Sequence, residues 1–290
     1  MKKTERIIRL GLCGCMLVFC LLCVIGCKKE DKINDLFPPE LAAQLPETTN
    51  YNLHKFVISE ELDYLQPVVR WRLNGQDLFM VVDTGSPDNY LIKNGIKKGL
   101  KGFIASEIMS NSDIRFLVEV NKLTYILDPV GTGTVGYDCE YFDGLLGLTW
   151  MTKYNNIVFD YVNKRIDYNQ PPISDYDIPM VVYGNYSKKY YVPFTFNGKE
   201  MLGLIDTGSY ATFVNLPIIG EKKDDNGLYI VHDFCIGNVS YENMEIKAGD
   251  EVISNEGAMR TFAEDNVLGY PCFKDHVIQL DFKNNVFRIK

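Results

Sequence analysis

Two stretches of this 290-residue chain repeat each other, and that repeat narrows the fold more than any other feature. "VVRWRLNGQDLFMVVDTGS" (Val68 to Ser86) lines up with "VPFTFNGKEMLGLIDTGS" (Val192 to Ser209). Asn74-Gly75 stands nine residues before Asp83, and Asn197-Gly198 stands nine before Asp206, an offset of 123 for both features. Each block reads as a strand, an Asn-Gly turn that accepts positive φ, and a second strand running into Asp-Thr-Gly. Further on, "DGLLGLTWMTKYNNIVFDYVNKRI" (Asp143 to Ile166) matches "DNVLGYPCFKDHVIQLDFKNNVFRI" (Asp265 to Ile289), with Gly147 and Gly269 122 apart and Asp160 and Asp281 121 apart. These blocks close each half with strand, Asn-containing turn and strand. One Asp-Thr-Gly after an apolar run is ordinary strand-to-turn chemistry. Four markers in register mean a duplicated β unit of about 110 to 120 residues.

The expected class is therefore all-β. Helical periodicity is weak, and only Phe56–Leu65 ("FVISEELDYL") and Gly147–Tyr154 ("GLTWMTKY") suggest helix. With 46% hydrophobic and 12% aromatic residues, the chain has the material for a real core. The Pro-bearing "NQPPISDYD" (Asn169 to Asp177) is the expected passage between the halves. The expected division is a signal segment 1–26, a flexible tether 27–50, an N-terminal lobe 51–170 and a C-terminal lobe 171–290.

The set of motifs resembles that of aspartic peptidases of the pepsin and retropepsin group. It comprises an apolar pair before Asp-Thr-Gly-Ser, then an apolar pair and glycine in "LLG" and "VLG". The likeness runs from about residue 55 to residue 290, and each half is nearer in length to a retroviral protomer than to a pepsin lobe. What the resemblance implies is two retropepsin-like β-barrel lobes with an active-site cleft between them, and Asp83 and Asp206 together as the catalytic pair. Two adjoining carboxylates cannot both ionise cheaply, so they share one proton and divide the roles of base and acid. In this reading Gly85 and Gly208 permit the tight turns, and Thr84 and Thr207 hydrogen-bond crosswise beneath the pair. Ser86 and Ser209 either donate their hydroxyls to the carboxylates or serve the turns. A hairpin flap is also implied, with Ala105–Phe116 and Gly220–Val231 as the candidate segments.

The N-terminus carries a separate signal. "MKKTERIIR" is cationic, "LGLCGCMLVFCLLCVIG" is a 17-residue apolar run, and Cys27 follows directly before "KKEDK". This is the layout of a secretory signal. "VIGC" resembles the lipobox of bacterial lipoproteins, which implies cleavage after Gly26 and lipid on Cys27. The competing reading is an uncleaved anchor helix. Either way the body is expected outside the cytoplasm, lipid-anchored to a bacterial membrane at the outer membrane or cell surface.

The remaining features mostly exclude functions. The formal charge is −8, and the leader is itself cationic, so the body is more acidic still and lacks the basic face a nucleic-acid partner needs. Beyond Cys27 only Cys139, Cys235 and Cys272 remain, too scattered for a metal site and with room for one bridge; no metal and no cofactor is expected. "GTGTVG" (Gly131 to Gly136) fits a dinucleotide pattern but no helical pattern follows it, so it reads as a loop. The expected partners are a peptide or protein substrate and the membrane, with the chain acting as a monomer because both aspartates lie in one chain. The expected activity is aspartic endopeptidase. The alternative is a catalytically silent lipoprotein that keeps the fold as a surface-binding module.

Overall fold

A computed structural model describes residues 6–9, 37–45, 53–62, 64–100, 116–120, 123–128, 142–184, 188–214, 221–222, 228–248 and 266–290. They form an all-β protein with a few short helices. The repeat seen in sequence is a repeat of hydrogen-bond register. The hairpin Tyr64–Leu73/Gln76–Val82 pairs Val68 with Val81, and the hairpin Lys189–Phe196/Lys199–Ile205 pairs Tyr191 with Leu204, each partner displaced by 123. Both hairpins close on Asn-Gly with φ positive at all four turn residues, the mirror-image turn whose twist matches that of paired strands. In each half the second strand then pairs in parallel with the strand of the later apolar motif, Gln76–Val82 with Gly144–Leu146 and Lys199–Ile205 with Asn266–Leu268.

The two halves meet through strands that are each other's repeat. Asn156–Asp160 runs antiparallel to Val277–Asp281, and Val158 pairs with Gln279, its own counterpart at offset 121. A local twofold axis therefore passes through this pair. On either side the layout recurs: Arg165–Tyr168 and Val286–Ile289 complete hairpins, and Leu53–Ser59 and Ile178–Pro179 add beyond them. The repeated aspartates make the hairpin turns. Asp160 accepts from the backbone and side chain of Asn163 at 2.9 and 2.8 Å, and Asp281 accepts from Asn284 at 3.0 and 2.9 Å. Residues 169–177, the expected passage between halves, hold no strand or helix.

The helix expected over Phe56–Leu65 is a correction: Leu53–Ser59 is a strand, followed by a turn and the strand from Tyr64. The apolar run there is continuous because both faces are covered. Phe56 and Ile58 enter the main core, whereas Val57 enters a second cluster on the opposite side. Burial on both faces erases the alternation that would mark a strand. At Gly147–Tyr154 the expected helix is a single short one, Leu148–Met151. One helix has no sequence signal at all. Lys93–Gly99 contains two glycines and lacks a side-chain N-cap, and tertiary contacts hold it: Ile96 is fully buried, and Lys98 donates to Asp143 at 3.1 Å.

The segment read as a tether is folded in part. Pro39–Ala42 forms a helical turn, and Phe37, Leu41 and Leu45 are buried against Val57, Val68, Phe79, Val81 and Tyr90. Phe37 stacks on Phe79 with ring centroids 4.5 Å apart, and Arg70 Nη2 donates to the Ala42 carbonyl at 2.8 Å. Burying three such side chains stabilises the docked state by about 1.5–3 kcal/mol each, as an upper range. Arg6–Arg9, in the segment read as a signal, pairs in parallel with Phe116–Val120 at the sheet edge.

Candidate active site

Strand ends deliver both Asp-Thr-Gly turns to the junction of the halves. Asp83 N donates to Leu146 O and Asp206 N to Leu268 O, each at 3.0 Å, so each aspartate is the last rung of the parallel pair that precedes it. The turns interlock across the junction. Thr84 N donates to Thr207 Oγ1 at 3.1 Å and Thr207 N to Thr84 Oγ1 at 2.9 Å. Each threonine hydroxyl donates onward into the opposite strand, Thr84 to Ile205 O and Thr207 to Val82 O, both at 2.7 Å. Four hydrogen bonds between groups removed from water thus hold the two halves in register.

The repeated "LLG" and "VLG" glycines have the same cause in both halves. A Cβ on Gly147 would run into the Ser86 and Asp88 carbonyls, and one on Gly269 into the Ser209 and Ala211 carbonyls. This close approach lets Leu148 N donate to Ser86 O and Tyr270 N to Ser209 O, both at 2.9 Å. The glycine N–H groups are held by residues the sequence reading did not single out: Gly147 N donates to Asn89 Oδ1 at 3.0 Å, and Gly269 N to Thr212 Oγ1 at 3.2 Å. Asn89 and Thr212 are themselves 123 apart, so the alignment of the halves contained the signal.

The carboxyl groups of Asp83 and Asp206 hydrogen-bond to each other, and the side chains are almost fully enclosed, with 5% and 2% of each residue exposed. Backbone donors fix their orientation: Gly85 N and Ser86 N reach Asp83 Oδ1 at 2.8 and 3.0 Å, and Gly208 N reaches Asp206 Oδ1 at 2.9 Å. Gly85 lies so close to the Asp206 carboxyl that a Cβ there would overlap it. Burial pushes Asp83 above the usual carboxylate range, against the opposing pull of the Asp206 hydrogen bond and the two N–H donors. Asp206 rises well above that range, again mainly through burial, and then through the charge and hydrogen bond of Asp83. Two carboxyls this close and this enclosed cannot both ionise cheaply, so their titrations are linked.

The serines reach the carboxylates with their backbone N–H groups and not with their hydroxyls. Their hydroxyls turn away from the carboxylates, Ser86 Oγ to Asp88 O at 2.9 Å and Ser209 Oγ to Ala211 O at 2.8 Å, which closes the turns. Of the flap candidates, Gly220–Val231 includes the paired arms Glu221–Lys222 and Leu228–Val231. Its tip and all of Ala105–Phe116 except Phe116 lie outside the described residues, as do Cys27, Cys139 and Gly131–Gly136. Of the described cysteines, Cys272 is buried beside the Thr212 hydroxyl and Cys235 is half-buried; both are free thiols. Two grooves of about 420 and 520 Å³ share Glu60, Tyr270 and Lys274 in their linings, and the Tyr270 hydroxyl donates to Glu60 Oε1 at 2.9 Å. Neither is lined by Asp83 or Asp206.

No family model matches the chain, and no curated protein matches it.

Proposed function

We propose that the chain is an aspartic endopeptidase whose two halves are retropepsin-like lobes, with Asp83 and Asp206 as its catalytic pair. The observation that carries this reading is the enclosed, mutually hydrogen-bonded carboxyl pair at the twofold junction, aimed by Gly85, Ser86 and Gly208 N–H groups. Such a pair supplies acid and base at once. The ionised carboxylate takes a proton from a water lying between the two groups, and the resulting oxygen nucleophile attacks the peptide carbonyl carbon. The protonated carboxyl donates to the carbonyl oxygen, giving a neutral tetrahedral intermediate without a covalent enzyme adduct. Collapse breaks the C–N bond: the protonated carboxyl gives its proton to the amine nitrogen while the other carboxylate takes one from a hydroxyl of the intermediate, which leaves the pair with one proton as at the start. The protein works outside the cytoplasm, held by lipid on Cys27.

A second reading, a silent binding module of the same fold, draws on the low exposure of both carboxyl groups. One experiment separates the two. The purified chain lacking residues 1–36 is incubated with fluorescent casein across pH 3–8, alongside Asp83→Asn and Asp206→Asn and with a hydroxyl-bearing peptide that mimics the tetrahedral intermediate. The proposal expects cleavage by the parent chain, inhibition by the mimic, and a loss of at least about 10³-fold in each variant. Absence of cleavage at every pH, with both variants as well folded as the parent, establishes the silent module instead.

A further inference from the structure

The docked N-terminal segment places the site relative to the membrane. Along Gln76–Val82, Met80 and Val82 enter the main core, whereas Phe79 and Val81 enter the cluster that holds Phe37, Leu41 and Leu45. Strand pairing continues to Asp83, whose N–H donates to Leu146 O. Side chains alternate along a strand, so Val81 and Asp83 project to one side, and that is the side on which the segment lies. The chain thus joins the body on the flank that bears the Asp83 carboxyl.

The docking also shortens the leash. From Cys27 to Phe37 there are ten peptide steps, which cannot span more than about 35 Å whatever their conformation. A segment free as far as Leu53 would reach about 90 Å. The docked segment is held by the Phe37–Phe79 stack, by Leu41 and Leu45 in the cluster and by the Arg70 bond to Ala42 O.

We infer that docking of Phe37–Leu45 sets a short working distance between site and bilayer, and that the substrates are proteins anchored to the same membrane, cut in the stretch of chain close to the bilayer surface. This rests on the peptidase reading and on lipid at Cys27. Two partners confined to one surface meet at an effective concentration set by tether length, and a site beyond the leash is not reached at all.

The test uses the lipidated protein beginning at Cys27, in liposomes with three probes. These are fluorescent casein in solution, a casein segment on a lipid-anchored carrier directly at the bilayer, and the same segment beyond roughly 100 Å of rigid helical spacer. Two variants lengthen the leash independently. One inserts twenty Gly/Ser residues between Asn34 and Asp35; the other, Phe37→Ser/Leu41→Ser/Leu45→Ser, undocks the segment. The parent is expected to cut the near segment at least about tenfold faster than the far one. Both variants should bring that ratio toward one while cutting soluble casein at the parental rate. Equal cleavage of near and far segments by the parent overturns the inference. So does an unchanged near preference after the Gly/Ser insertion, which tests the leash even if the triple variant fails to fold. Failure to cut soluble casein, or an unlipidated Cys27, overturns the underlying reading and the inference with it.

Discussion

Thr84 and Thr207 each donate a backbone N–H to the other's hydroxyl, at 3.1 and 2.9 Å, and each hydroxyl donates a hydrogen bond to a carbonyl of the opposite half. This reciprocal lock adjoins the carboxyl pair, so contacts between halves set how the two aspartates meet, while backbone donors within each half orient each carboxyl. Thr84→Val or Thr207→Val keeps the side-chain shape but leaves a buried N–H and a buried carbonyl without partners. Each should cost about 2–6 kcal/mol of stability, from about 1–3 kcal/mol for each of the two orphaned groups. Urea denaturation would measure the loss. The two together should cost less than the sum of the singles, because both variants break the same network.

Gly85→Ala tests the approach of one turn to the opposite carboxyl. The added methyl would overlap the Asp206 carboxyl, which must then leave its place beside Asp83. Activity should fall at least about 10²-fold, the scale of a 1 Å misplacement. Gly75→Ala is the control, since a Cβ there meets nothing within 4 Å, although its positive φ carries a modest strain. It should lower stability slightly and leave the turnover rate unchanged.

Stability should depend on pH in a direction opposite to that of ordinary paired carboxylates. Both aspartates are raised above the ordinary aspartate value of 3.8, so the folded state holds protons that the unfolded state has released. Their stabilising contribution is full below 3.8 and is lost as pH rises through the folded values. A melting series on the parent and on Asp206→Asn should converge toward low pH. Above that range Asp206→Asn should melt higher, because it removes the cost of a buried charge facing Asp83. A parent and variant that stay parallel across the series would show that the pair carries no raised proton affinity.

Asp143 joins two parts of the first half and offers a prediction independent of catalysis. Its Oδ2 accepts from Phe79 N at 2.9 Å and from Lys98 Nζ at 3.1 Å, with both side chains nearly enclosed. Asp143→Ala removes the carboxylate of a nearly enclosed ion pair together with the acceptor of Phe79 N, and should cost about 3–5 kcal/mol. Pairing it with Lys98→Met should recover much of that loss, and a thermal-melt comparison of the single and double variants decides the matter.

Local chemistry made much of this protein legible in its sequence. Asn-Gly at positions 74–75 and 197–198 specifies hairpins because those residues tolerate positive φ, and the structure has it at all four. The Asp-Thr-Gly repeats and the glycines at 147 and 269 were visible because fixed spacing in two copies leaves little room for accident, and the structure supplies the reason in backbones too close for a Cβ. Other features were decided only by contacts between residues far apart. The pairing of Val158 with Gln279, the outward turn of the Ser86 and Ser209 hydroxyls, and the docking of Phe37 on Phe79 have no local signature. The strand at Leu53–Ser59 and the helix at Lys93–Gly99 run against their local patterns, because burial on both faces and packing around Ile96 outweigh the weak preferences of short segments. The raised proton affinity of Asp206 belongs to the same group, since it arises from enclosure and from a carboxylate 123 residues away, and neither exists until the halves close on each other.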